Sequence, residues 1–189
     1  NKLIKNAERD RKSFDATIEF WSAQLAAEAA NITKQRLRYI EAAERELKIC
    51  FDEMTGGRET PSLEYDHSFK IKPEDAADAK RAQEIFFSQL MSSHDREIYA
   101  GATLWGIHKD DLTIRLDGKN ARNFASQGQQ RSLALAMKLA EGWVSALESG
   151  GDMPVFLFDD VFSELDSTRR AYLSGKIGER QVIITTCEP

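Results

Sequence analysis

The 189 residues carry 26 Lys and Arg against 31 Asp and Glu, a formal charge of −5, with 41% apolar and 30% charged side chains. That balance excludes wholesale disorder, collagen and low-complexity classes, and it argues against sequence-blind nucleic-acid affinity over the whole surface, which needs many cations facing phosphates. No apolar run reaches the roughly 18 to 20 residues of a membrane-spanning helix, and Cys50 and Cys187 lie far apart without Cys/His ligand spacing, so neither a disulfide scaffold nor a zinc site is indicated.

From Asn1 to Thr55 there is no Gly or Pro, and Phe14, Ile18, Trp21, Leu25, Ile32 and Tyr39 recur at helical spacing. The stripe then passes to Ile40, Ala43, Leu47 and Cys50 or Phe51. A shift near Asn31 to Gln35 predicts either a kinked helix or two helices, with a narrow seam that packs on a second helix. Gly56-Gly57 stops the run. Ser62 to Ile71 alternates Leu63, Tyr65, Phe69 and Ile71 as a half-buried strand does. Pro73 with Glu74 and Asp75 opens a helix expected to reach about Ser93, since Pro suits the first turn and acids suit its positive end. Leu112, Ile114 and Leu116 followed by Asp117-Gly118 predict a hairpin.

The last third has Leu133, Met137, Ala140, Trp143 or Val144, and Leu147 on one helical face between Gly128 and Gly150-Gly151. Val155 to Phe158 is a continuous apolar run, expected as a parallel strand covered on both faces. A short helix over about Ser167 to Lys176 and a second buried strand over Val182 to Thr185 complete a βαβ unit. The expected class is therefore α/β, with a helical arm over 1–95, including a short strand near 62–71, and an α/β part over 96–189. The chain opens on Asn1 with no apolar signal core and is read as a fragment of a cytosolic protein without a membrane partner.

Two places carry chemistry. Asp159-Asp160 end an apolar strand, and the carboxyl ends of parallel strands are where ligands sit. One acid there suits Mg²⁺, which takes few carboxylates plus phosphate oxygens, and the other can orient a water; Asp160 as a mere turn cap is the bland alternative. Ser126-Gln127-Gly128-Gln129 opens a helix, so Ser126 stands at its N-cap and free N–H groups face outward with the positive dipole end. That end accepts an anion, with Gly128 permitting close approach and Ser126 and Gln129 adding hydrogen bonds, or it is simply a capped helix.

Taken in order, the Ser-x-Gly-Gln turn, the strand with two acids, Ser163-Glu164-Leu165-Asp166 and Thr185-Thr186 resemble the second half of an ABC-type ATPase head. In that resemblance Ala125 to Gln129 is the signature motif, Val155 to Asp160 the Walker B strand, Ser163 to Asp166 the D-loop and Thr185-Thr186 the switch position. The strings Ala125 to Ser132, Leu139-Ala140-Glu141, Phe158 to Asp166 and Arg169-Arg170 narrow the likeness to the RecF family of bacterial DNA replication and repair proteins. Gly101-Ala102-Thr103 with Gly106 to Leu112 is similar to that family's Gly-Pro-His-Arg/Lys-Asp-Asp-Leu block, and Trp21 with Gln24-Leu25-Ala26 resembles its arm helix. Ile107 stands where the family has Pro, and Asp160 stands where most ABC ATPases have Glu. No G-x-x-x-x-G-K-[ST] phosphate loop occurs in the chain.

The resemblance implies an ATP- and Mg²⁺-dependent homodimer in which each ATP is held by one subunit and covered by the other. Ser126, Gln127, Gly128 and Gln129 would then contact nucleotide in trans. Asp159 would bind Mg²⁺ in cis, Asp160 would be catalytic, and Asp166 and Thr185 would complete the nucleotide site. It further implies slow DNA-dependent ATPase activity in the intact protein, silence of this part alone for want of a phosphate loop, and action on double-stranded or gapped DNA at the bacterial nucleoid. RecR and RecO are the implied partners in loading RecA. Lys34, Arg36, Arg38, Lys109 and Arg115 are the local basic candidates for DNA contact, and His108 could join an Asp110 or Asp111 network. The alternatives are the head of another ABC protein of the SMC type, or an interaction scaffold without catalysis.

Overall fold

A computed structural model describes residues 2–7, 9–161, 165–177 and 181–186. Two compact units divide the chain: Asn1–Arg38 with Tyr65–Leu112, and Tyr39–Glu64 with Thr113–Pro189. Each unit is thus built of two segments, a different partition from a single border at 95/96.

Helix α1 (Lys2–Asn6) precedes α2 (Arg11–Thr55), which is one unbroken helix of 45 residues. With no Gly or Pro inside it, the change of stripe is accommodated without a break. Phe14 is buried and Ile18 packs beside it as the stripe marks, but from Trp21 to Tyr39 α2 turns a different face inward from the one its large residues mark. Ala26, Ala29 and Ala30 are buried against Phe69, Ala82, Phe86 and Leu90, whereas Trp21 is 56% exposed and Leu25, Ile32 and Tyr39 are only partly covered. Small side chains let the neighbouring helix approach, and Phe86 fills the space they leave, stacked on Phe69 at 4.1 Å.

Strand β1 (Pro61–Asp66) is shorter than the expected 62–71. The helix expected from Pro73 is two, α3 (Pro73–Ala77) and α4 (Ala79–Ala100). Asp78 separates them: it is extended, and its carboxylate accepts from the N–H groups of Lys80 (2.9 Å) and Arg81 (3.2 Å), so it caps α4 as an Asp does best. Strands β2 (Asp111–Leu116) and β3 (Lys119–Asn120) form the hairpin, with Arg115 opposite Asn120 and both Asp117 and Gly118 at positive φ. The sheet order is β1-β2-β3.

After α5 (Ala121–Phe124) come α6 (Gln127–Glu148), β4 (Phe156–Asp159), α7 (Ser167–Ile177) and β5 (Val182–Thr185). β4 and β5 pair in parallel from Phe156↔Val182 to Asp159↔Thr185. The core of the second unit joins Leu47, Cys50, Phe51 and Met54 of α2 to Leu133, Ala136 and Leu139 of α6, with Phe156, Phe158 and Leu173. Gly142 permits this packing, because a Cβ there would lie 2.3 Å from the Phe156 ring. The expectation of strands covered on both faces does not hold among the described residues. β4 alternates, with Phe156 and Phe158 buried but Leu157 72% exposed, and Ile183 of β5 is also exposed. Among the described residues, the buried side chains of β4, Phe156 and Phe158, lie on one face of the strand.

No helix among the described residues is long and apolar enough to cross a membrane. Cys50 is buried, and burial pushes its thiol pKa up. Cys187, like Ser163 and Glu164, lies outside the described residues.

Candidate nucleotide site

The first cluster is built at the start of α6. Ser126 is extended, its Oγ accepts from the Gln129 N–H at 3.3 Å, and Gln129 Oε1 accepts from the Ser126 N–H at 2.6 Å, a complete capping box. Gln130 braces the turn from beneath by donating to the carbonyls of Arg122 (3.3 Å) and Ala125 (3.1 Å). The first-turn N–H groups of Gln127 and Gly128 have no acceptor within the helix. With the Ser126 hydroxyl proton, they form a compact set of donors at a positive helix end. A Cβ built at Gly128 meets no atom within 4 Å, so its backbone is open to approach.

The second cluster stands at the carboxyl ends of the parallel strands. Asp159 and Thr185 are register partners, and Thr185 Oγ1 donates to the Asp159 carboxylate. The Asp160 N–H donates to the Thr185 carbonyl (3.1 Å) and lies 3.2 Å from its Oγ1. Asp160 adopts φ +49°, a left-handed conformation that Asp tolerates better than most residues. Both acids border a cavity of about 750 Å³ between β4 and α6, whose wall includes Arg131, Lys138, Gly142 and Leu157. Asp159, Asp160 and Thr185 are therefore brought together, while Ser126 to Gln129 lie outside that cavity.

Asp166 takes a local role at the start of α7. Its carboxylate accepts from the Arg169 N–H (2.9 Å) and pairs with the Arg169 guanidinium. Of the basic candidates, Arg36 is committed inward, donating to Tyr65 Oη (3.1 Å) and the Ile107 carbonyl (2.7 Å) and lying 3.6 Å from Asp110. Arg115 pairs with Glu64. Lys109 and Arg38 are exposed and Lys34 is partly so.

The block from Gly106 to Leu112 centres on Asp110, whose side chain is 2% exposed. It accepts from Tyr65 Oη (2.5 Å) and the Ser68 N–H (2.7 Å), and the bond network runs to Arg36 rather than to the exposed His108. Burial pushes the Tyr65 phenol up to about 12, with Asp110 adding to the shift and Arg36 opposing it. Sequence reasoning missed Tyr65 and Ser68 as partners. It also missed Glu59, whose carboxylate takes the Gln129 amide.

The donor sets fit a magnesium nucleotide in part. Asp159 and Asp160 offer hard oxygen ligands in the small number Mg²⁺ uses when phosphates supply the rest. No group of three or more His, Cys, Asp or Glu that could form an all-protein metal cage occurs among the described residues.

No protein-family model matches the chain. Relatives among curated proteins do. DNA replication and repair protein RecF of Staphylococcus carnosus is 36% identical over 187 residues, 98% of this chain and 50% of that protein. RecF of Moorella thermoacetica is 38% identical over 187 residues, with 98% and 47% coverage. A solved structure described as the recombination mediator protein RecF with ATP, in the RecFOR pathway, superposes with TM-score 0.85 at 30% identity, covering 99% of this chain and 49% of its own. A companion RecF structure with ATPγS gives the same TM-score at 29% identity.

The fold thus matches the head region of an ABC-type ATPase, as its C-terminal part, together with a helical region. In particular, the chain is a homologue of RecF over nearly all its residues. It spans about half the length of the curated relatives it matches.

Proposed function

We propose that this chain supplies the signature and Walker B parts of a RecF-like, DNA-dependent ATPase of recombinational repair, which dimerises around ATP on double-stranded or gapped DNA. The observation that carries it is the separation of two finished clusters. The acids Asp159 and Asp160 are fixed by Thr185 at one cavity, and a capped donor set at Ser126 to Gly128 opens outside that cavity. Donors that do not share a cavity with the acids are suited to a nucleotide held by a second copy.

Bound Mg²⁺–ATP supplies the phosphoryl bond whose cleavage resets the dimer. Asp159, oriented by the Thr185 hydroxyl, would hold the ion directly or through its waters. Asp160 orients the attacking water, and as a residue one methylene shorter than Glu it suits slow turnover. Ser126 O–H and the N–H groups of Gln127 and Gly128 bind phosphate oxygens of the partner's nucleotide. The phosphate loop comes from residues other than these. RecR and RecO are the proposed partners in handing the gap to RecA.

Sedimentation of the intact protein with ATP tests this. Ser126→Trp is expected to abolish ATP-dependent dimerisation, because the indole occupies the space of the approaching phosphates. Asp160→Asn is expected to leave the dimer and lower hydrolysis about 10²- to 10⁴-fold, the usual contribution of a positioned base. Dimerisation unchanged in Ser126→Trp would sink the trans assignment.

A further inference from the structure

The Gln129 side chain is committed at both ends. Its Oε1 closes the capping box on the Ser126 N–H at 2.6 Å, and its Nε2 donates to Glu59. Glu59 itself sits on a clamped loop. The Thr60 N–H donates to the Asp117 carboxylate (2.9 Å) and the Asp117 N–H donates to the Thr60 carbonyl (3.0 Å), which ties the loop to the hairpin turn. At the other end Glu53, on the last turns of α2, accepts from Tyr172 Oη (3.0 Å) and Lys176 Nζ (2.9 Å) of α7. Gly56 and Gly57, both at positive φ, make the turn between these anchors.

We propose that Glu59 is a positioning residue for the signature turn: its carboxylate holds the Gln129 amide, so that Ser126 is presented to the partner's nucleotide in one fixed orientation. The inference rests on the ATP-dimer reading above and assigns a role to a residue outside the signature itself. A Gln amide has two N–H bonds and one carbonyl. With the carbonyl used by the cap and one N–H by Glu59, the side chain has one rotamer rather than several, and the cap's entropic cost is met before nucleotide arrives. Glu59 takes no donor that would face a phosphate, because the Ser126 hydroxyl proton and the Gln127 and Gly128 N–H groups remain outside its bond. It therefore organises the donors and does not compete for them.

The test is ATP-driven dimerisation of the intact protein, read as the ATP concentration at half-dimer, beside nucleotide binding by the monomer and the thermal midpoint. Glu59→Ala is expected to raise the half-dimer concentration about tenfold, the effect of losing one hydrogen bond to a charged group, while monomer nucleotide binding stays as in the wild type and the thermal midpoint falls by no more than the few degrees that one such bond accounts for. Glu59→Gln keeps a neutral acceptor of the same shape and is expected to recover part of the shift, to a value between Glu59→Ala and the wild type, which a role for charge alone would not allow. Unchanged dimerisation in Glu59→Ala, a defect of equal size in Glu59→Gln, or tighter dimerisation in either variant overturns the proposal. A general loss of monomer binding and thermal midpoint in Glu59→Ala without rescue by Glu59→Gln overturns it too, as a merely structural contact. Failure of the wild type to dimerise with ATP would overturn the parent reading, and is told apart by that control.

Discussion

At Gly128 a methyl group would meet open space, and the residue is helical rather than left-handed, so nothing in this chain's packing requires a glycine there. Gly142 is the opposite case, held to glycine by the Phe156 ring. If the space above Gly128 is reserved for a partner's phosphates, stability and function should separate at this one position. Gly128→Ala is expected to stabilise the chain by about 0.5 to 1 kcal/mol through lower backbone entropy in the unfolded state, and to weaken ATP-dependent dimerisation of the intact protein. Urea unfolding and sedimentation read the two effects; a stabilised variant with unchanged dimerisation would show that the space is unused. The capped turn itself was legible in the sequence, because Ser126 and Gln129 are three residues apart and a capping box is a local device. Asp110's partners were not. Tyr65 and Ser68 lie more than forty residues away, and only folding brings them within a hydrogen bond.

Among elements, α2 was legible as a helix, and Ala43, Leu47, Cys50 and Phe51 are buried as their spacing marks, but the face it buries between Trp21 and Tyr39 was not legible. Hydrophobic spacing marks the largest residues, whereas close approach to α4 selects Ala26, Ala29 and Ala30. The break at Asp78 was hidden for a related reason: an Asp within a helical run reads as a surface residue until its carboxylate is seen bonding the N–H groups that follow. Where α4 packs on α2, His94 is buried, with Ser22 Oγ 3.1 Å from its Nε2 and the Phe14 ring edge-on. Burial lowers its pKa below the ordinary 6.5. Glu97 and Asp95 oppose that shift, and Arg11 adds to it. His67 is lowered by burial as well, against Asp110 and Asp66. A histidine that is harder to protonate when folded gives the unfolded state the greater proton uptake below pH 6.5. Its contribution to stability is therefore complete above that pH and is lost as pH falls toward the folded value. The urea midpoint is expected to drop between pH 7.5 and 5.5, and His94→Gln to flatten the drop. An identical slope in that variant would show that His94 takes up its proton equally readily in the folded and the unfolded chain.

For the whole molecule, the order of elements, the hairpin, the parallel pair and the motifs were legible because each is written in a few adjacent residues. The covering of the strands was not, since a continuous apolar run says both faces avoid water but not which chain segment covers them, and Leu157 and Ile183 remain exposed here. DNA contact also belongs to this scale. Arg36 and Arg115 are occupied by Asp110 and Glu64, which leaves Lys34, Arg38 and Lys109 as the candidates able to face phosphates. Replacing these three by Gln in the intact protein should flatten the dependence of log K on log salt by nearly one unit for each true contact, about 2.7 in all. Arg36→Gln should instead act through stability, by stranding Asp110. A salt slope unchanged in the triple variant would move the DNA surface elsewhere.

Cys50 lies in the core of the second unit beside Leu47 and Leu173, with a thiol that burial makes harder to ionise. Such a sulfur is a clock. An alkylating reagent reaches it only in the moments when that core comes apart, so with Cys187 and any cysteine outside these 189 residues changed to Ser the labelling rate counts openings of the native protein without denaturant. Comparing the count with and without nucleotide would express ligand binding as time spent closed.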